Sequence, residues 1–207
     1  MSTSQKIVSL YKSRQIILDY MSRLQYDTSE YDNFTMNEVD SMYKIDQSDM
    51  LITNKVSGNK VYIKYSVSKT TRPTGIETIV FNLFDNEMVL TKKDTLIIIL
   101  DSEVNDGIIS LLKNLYNEKG IFVSVFNIKR LQFNVLNHVL NPGVEIVPDE
   151  EIEDLKAKLN IKTVKLLPEI SRFDPLAVAI ILRPGQVIKL TRKSVTALST
   201  IYYRVCI

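Results

Sequence analysis

The chain carries one histidine, His138, and one cysteine, Cys206, in 207 residues. Nucleophilic catalysis needs a nucleophile beside a base that a third group orients. No Ser, Cys or acidic motif of recognisable spacing accompanies His138, so a structural role is expected for it. Metal-dependent phosphodiester cleavage needs an acid and then an acid-x-Lys on adjacent strands, to hold Mg²⁺ and orient a water. Asp154-Leu155-Lys156 has the letters, but its neighbours follow a helical pattern. Lys92-Lys93-Asp94 reads as a charged turn. A Gly-rich phosphate loop and Cys/His metal spacing are both missing from the sequence. The expectation is a protein without catalytic residues, cofactor or metal.

Binding is the better use of the polar residues. The net charge is only +2, but it is uneven. From Leu166 onward stand six Lys/Arg (Arg172, Arg183, Lys189, Arg192, Lys193, Arg204) against Glu169 and Asp174. The rest of the chain has 20 against 22. A small basic module at the C-terminal end follows. Lys189, Arg192, Lys193 and Arg204 are either docking residues or plain exposed charges, and an Arg contributes most where its planar fork meets a carboxylate. Ser194 and Thr196 fall in a turn, where they satisfy backbone groups. Tyr203 alternates with apolar residues, which favours a core role over contact. A loop from Asp101 to Gly107 follows one apolar run and precedes another, a place where loops carry contacts. Its acids Asp101, Glu103 and Asp106 repel phosphate. Any phosphate contact by Asn105, Asp106 and Gly107 must therefore use backbone amides at a helix start.

The elements that position these residues follow from periodicity. Ile7, Leu10, Tyr11, Ile17, Leu18, Met21 and Leu24 make one helical face, read from about Ser4 to Gln25. Residues 26–49 are polar and give no clear assignment. Met50-Leu51-Ile52 and Val61–Tyr65 read as strands joined through Ser57-Gly58-Asn59, whose Gly and Asn tolerate positive φ. Ser68 to Gly75 reads as a loop, then Ile76, Ile79, Val80, Leu83 and Phe84 as a helix. Leu96–Leu100 is a buried strand by its continuous apolar run. Ile108–Leu115 is a helix ended by Gly120, and Ile121–Phe126 a second buried strand. Strand, helix, strand is the pattern of a parallel pair with a crossover, so the N-terminal part is α/β. Asn141-Pro142-Gly143 interrupts the pattern and marks an expected boundary, with domains of 1–140 and 141–207. Asp149-Glu150-Glu151 opens a helix with acids in its first turn and Lys156 and Lys158 in its last, as the helix dipole favours. Asp174-Pro175 starts a short helix expected to reach Leu182, because Asp caps free amides and Pro fits the first position. Strands at Val187–Arg192 and Ile201–Ile207 are expected to pair antiparallel.

Composition excludes little more. Apolar residues are 45% of the chain and charged residues 24%, as in globular proteins. A lone cysteine fits a reducing compartment. The N-terminus lacks the apolar core of a signal peptide, and the longest apolar run, Leu176–Leu182, is far below the ~20 residues that span a bilayer. No membrane partner is expected.

The last segment carries the most specific signal: Leu167-Pro168-Glu169-Ile170, Asp174-Pro175-Leu176-Ala177, Gly185-Gln186-Val187-Ile188-Lys189, Arg192-Lys193-Ser194-Val195-Thr196-Ala197 and Tyr203-Arg204-Val205-Cys206. In order and spacing these pieces resemble the C-terminal module of the fifth shared subunit of eukaryotic nuclear RNA polymerases, a module that archaeal RNA polymerases carry alone. Phe126-Asn127, Leu131, Asn134, His138, Leu140 and Pro142 extend the likeness upstream. Before about Leu96 only the order of elements matches. The resemblance implies a non-catalytic subunit of a multisubunit DNA-dependent RNA polymerase. It implies an α/β N-terminal domain of nuclease-like fold without a catalytic site, forming part of the lower jaw near downstream DNA. It also implies a small α+β C-terminal assembly domain that docks on the largest subunit, with Pro168, Asp174, Pro175, Gly185, Lys189, Arg192, Lys193, Ser194, Thr196, Tyr203 and Arg204 at the docking site. Val195 stands where the family has Glu, and Leu198-Ser199 where it has Gly and a charged residue, so the last turn is expected to differ. Val144 replaces a second His, and Asn105-Asp106-Gly107 replaces a Thr-Pro. These departures point to a remote branch, such as a large DNA virus or a divergent protist, and to a nucleus or a virion and host cytoplasm accordingly. A free nucleic-acid-binding or regulatory protein on the same fold is the alternative. The near-neutral N-terminal part speaks against it, because autonomous affinity rests on many phosphate contacts.

Overall fold

The computed structural model describes residues 3–67 and 72–207. It is a mixed α/β protein with two four-stranded sheets, and it divides into two compact units, Met1–Phe133 and Asn134–Ile207.

In the first unit α1 (Thr3–Arg23) buries Leu10, Ile17, Leu18 and Met21 of the expected stripe, leaves Ile7 and Tyr11 half-buried, and also buries Tyr20, which the stripe did not include. It also buries Arg14, whose guanidinium lies 5.6 Å from the Tyr31 ring and 5.0 Å from the Phe34 ring. Burial pulls the Arg14 pKa down. The polar stretch 26–49 contains α2 (Met36–Lys44), which was not evident from periodicity. Its start is a capping box: Thr35 Oγ1 accepts from the Glu38 amide, and Glu38 accepts from the Thr35 amide. β1 (Met50–Thr53) and β2 (Lys60–Ser66) form the expected antiparallel pair. Their turn is wider than two residues. Asn54 Oδ1 accepts from Val56 and Ser57, and only Gly58 of the three expected turn residues takes positive φ.

Of the loop expected from Ser68 to Gly75, residues 68–71 lie outside the described residues. Pro73 and Gly75 belong instead to α3 (Pro73–Phe81), with Pro at the first position, where its missing N–H costs nothing. A π turn, Asn82–Asn86, continues it. β3 (Thr95–Leu100) is buried at all six positions. α4 (Asp106–Asn114) runs on through a π turn, Leu115–Lys119, to Gly120, which ends it at φ 69°. β4 (Phe122–Asn127) follows. The strand order is β1-β2-β3-β4, with β2, β3 and β4 mutually parallel, so the α/β reading of this part holds. Asp94 is more than a charged turn. It is buried, and accepts from the Lys60 amide at 2.6 Å and from the Thr91 amide and hydroxyl at 2.7 Å each. Burial opposes its ionisation, but these bonds outweigh burial and hold its pKa below the ordinary value.

In the second unit the sheet order is β5-β7-β8-β6. β5 (Gly143–Ile146), α5 (Ile152–Leu159), β6 (Glu169–Ile170), α6 (Pro175–Ala179), β7 (Val187–Ser194) and β8 (Leu198–Cys206) make it up. β7 and β8 pair antiparallel as expected and run further toward their turn than expected. β5 and β6 are too short to show periodicity and were missed. α6 stops three residues before Leu182. Ile181 takes the left-handed conformation at φ 53°, and the Ile181 and Leu182 amides bond back to Val178 and Ala177. That is a Schellman closure, with isoleucine where glycine is usual.

Candidate docking surface

The site of interest is built on the β7–β8 hairpin. Its base is packed on both faces, because side chains alternate across a strand. On one face Ile188 and Leu190 join Ile170, Ala177, Ile180, Leu182 and Cys206. On the other, Val187 and Val205 join Val147, Leu155 and Leu167, with Tyr203 packed alongside. The expected core role of Tyr203 accords with that packing. Cys206 is buried, and burial pushes its thiol up to about 11.

Beyond Thr191 the hairpin leaves its cover. Residues 191–193, 195–199, 201 and 202 are exposed. Val195 is fully exposed, Leu198 88% and Tyr202 48%. The turn is closed by Ser194, whose Oγ accepts from the Ala197 amide at 3.3 Å and lies 3.4 Å from Thr196 Oγ1. Leu198 has φ 57°. A non-glycine residue therefore holds the left-handed conformation in this turn, a conformation that glycine favours.

The cations do not form one patch. Cross-strand partners put Arg192 and Arg204 on one face, and Lys189 and Lys193 on the other. Arg192 lies 5.9 Å from the Tyr202 ring. Arg204 donates to the Glu169 carbonyl at 3.2 Å. Lys189 is paired with Glu145 of β5 at 2.9 Å, which raises its pKa. Lys193 is exposed near the turn.

The other expected residues shape the unit. The exposed Pro168 accepts from the Val205 amide through its carbonyl, fixing β6 beside β8. Asp174 caps α6 by accepting from the Leu176 amide at 2.9 Å, ahead of Pro175. Gly185 has φ 90°, a conformation side chains rarely adopt, and donates to the Cys206 carbonyl. Two contributors were missed. Glu145 had no signal, because its strand was not recognised. Arg172 was counted as tail charge, yet it is buried, its guanidinium 5.2 Å from the Phe173 ring and its amide bonded to the Ile207 carbonyl.

Asn105, Asp106 and Gly107 belong to the first unit. Asn105 Oδ1 takes the Ile108 amide at 2.9 Å, so one of the amides offered to phosphate is already used, and Asp106 adds negative charge there. Asp154 and Lys156 lie on α5, where Lys156 pairs with Glu153 at 2.7 Å. His138 Nδ1 accepts from the Leu140 amide.

Residues 133–206 match the family model described as RNA polymerase Rpb5, C-terminal domain. Over 76 residues the chain is 42% identical to DNA-directed RNA polymerase subunit Rpo5 of Thermococcus kodakarensis, covering 37% of this chain and 92% of that protein. The chain belongs to the Rpb5/Rpo5 family. A second archaeal Rpo5, from Methanococcus maripaludis, is 44% identical over 73 residues, covering 35% of this chain and 92% of its own length. The likeness to DNA-directed RNA polymerases IV and V subunit 5B of Arabidopsis thaliana is lower, 26%, but spans 94% of this chain and 88% of that one. Family membership makes the chain a non-catalytic subunit of a multisubunit DNA-directed RNA polymerase.

Proposed function

We propose that the C-terminal unit docks on the largest polymerase subunit, and that the N-terminal unit forms part of the lower jaw near downstream DNA on a nuclease-like framework without a catalytic site. The observation that carries this reading is the uncovered end of the β7–β8 hairpin. A basic ribbon with fully exposed Val195 and largely exposed Leu198 is poorly suited to water, and an interface would cover it. Arg192 and Lys193 are its docking cations. Pro168, Asp174, Pro175 and Gly185 hold the platform, and Ser194 and Thr196 hold the turn. Lys189 acts through its ion pair with Glu145 rather than as a free charge. In the N-terminal unit the acidic, partly capped start of α4 keeps DNA near rather than gripped. A cellular polymerase of this kind places the chain in a nucleus, and a viral one in a virion or host cytoplasm.

Native purification at moderate salt tests the assembly. The chain is expected to co-migrate with the largest subunit, and recovery as a lone monomer would refute the reading. Arg192→Glu with Lys193→Glu should lower the yield of complex about tenfold, the equivalent of ~1.4 kcal/mol, while the isolated chain stays folded. An unchanged yield removes both residues from the interface.

A further inference from the structure

The outer edge of β8 is an unoccupied strand position. β8 runs from Leu198 to Cys206, and β6 pairs with it only at Val205 and Cys206. No other strand among the described residues pairs with that edge at residues 199–203. The direction of the free groups follows from the ladder. The Val205 and Ile207 amides bond outward, to Pro168 and Ile170, whereas the Cys206 amide bonds inward, to Gln186. Alternation then turns the Ile201 and Tyr203 amides and carbonyls outward, away from β7. Bare sheet edges bind extended chains through these groups.

The flanking side chains say what kind of chain fits. Ile201, 49% exposed, borders the edge on one face, and Tyr202, 48% exposed, on the other. Between Val187 and Ile207 the sequence has Lys189, Arg192, Lys193 and Arg204 and no carboxylate. Among the described residues, Lys189 alone of these four has an ion pair, with Glu145. Arg192 and Arg204 share the Tyr202 face.

We propose that an extended segment of another polymerase subunit adds to the sheet along residues 199–203. It would set an apolar residue against Ile201 and an acidic one toward Arg192 and Arg204. This rests on the assembly reading above and names its geometry.

Amide hydrogen exchange tests it in the intact complex. In the free chain the Ile201 and Tyr203 amides exchange fast. In assembled polymerase they should slow at least about 100-fold. Equal rates in both states, in a complex that contains the chain, overturn strand addition and leave assembly standing. Failure to find the chain in the complex overturns assembly itself. Slow exchange in the free chain, with a dimer by sedimentation, shows the edge closed by a second copy and also overturns the proposal. Ile201→Pro removes an outward donor without breaking the β7 ladder, and proline is tolerated at edges. It should weaken incorporation about tenfold, and more than Ile201→Thr, which keeps the amide. Equal incorporation of the two variants counts against backbone pairing. If the proline variant does not fold, the wild-type exchange rates still decide.

Discussion

Leu198→Gly should make the protein more stable, although it deletes a hydrophobic side chain. Leu198 has φ 57°, and a non-glycine residue in that region costs about 1–2 kcal/mol. Its side chain is 88% exposed, so little packing is lost on its removal. Glycine returns part of the gain through its greater freedom in the unfolded chain, about 0.4–1 kcal/mol. The net expectation is a gain of about 0.5–1 kcal/mol. With a urea slope of about 1–3 kcal/mol/M, the midpoint should rise by about 0.2–1 M, read by circular dichroism. Val195→Gly is the matched control. Val195 is also fully exposed in the same turn, but its φ is not positive. There glycine brings only its unfolded-state freedom and should lower stability by about 0.5–1 kcal/mol. If the two variants shift the midpoint in the same direction, the left-handed strain assigned to Leu198 is refuted.

Asp94→Asn should cost about 1–3 kcal/mol at neutral pH, because a buried carboxylate loses charge-assisted bonds from Lys60 and Thr91. The folded pKa is depressed, so its contribution is complete above the unfolded value near 3.8 and disappears as pH falls through the lower folded value. Wild type and variant should therefore converge in stability below that range, and a gap that persists at low pH would contradict the assignment. Cys206, buried and with its thiol raised to about 11, should resist alkylation at pH 8 in the folded chain and react promptly in denaturant. Equal rates in both states would show the strand end to be open.

Elements with a strong period were legible. The stripe of α1, the uninterrupted apolar run of β3 and the Asp174-Pro175 start of α6 each carry their cause in a few adjacent letters. What was missed depends on distant residues. β5 and β6 are strands only because β7 and β8 present edges to them, and their own few residues have no room for alternation. α2 did have a local signal, the Thr35-x-x-Glu38 box, hidden in a polar stretch with a single buried residue in the helix, Val39. The early end of α6 had none. A left-handed residue is announced by Gly or Asn, and at Ile181 the cap is imposed by the surrounding packing instead. Leu198 at the hairpin turn is likewise left-handed with no Gly or Asn to announce it.

The candidate docking residues show a different limit. Read in a line, Lys189, Arg192, Lys193 and Arg204 look like one basic patch. Strand geometry divides them, and tertiary pairing divides them again, since Glu145 occupies Lys189. A flat acidic surface laid on either face would meet two of the four at most. A strand added at the free edge of β8 lies between the faces, so its successive side chains point to both. Arg192→Glu and Lys193→Glu, tested singly beside the two Ile201 variants, separate these geometries. A flat partner makes one of the two charge changes far more damaging than the other. The edge partner proposed above sets its acid toward Arg192 and Arg204 and its apolar residue against Ile201, which shares the Lys193 face. Arg192→Glu should then account for most of the paired effect and Ile201→Pro should still be worse than Ile201→Thr, whereas a flat partner leaves those two Ile201 variants alike.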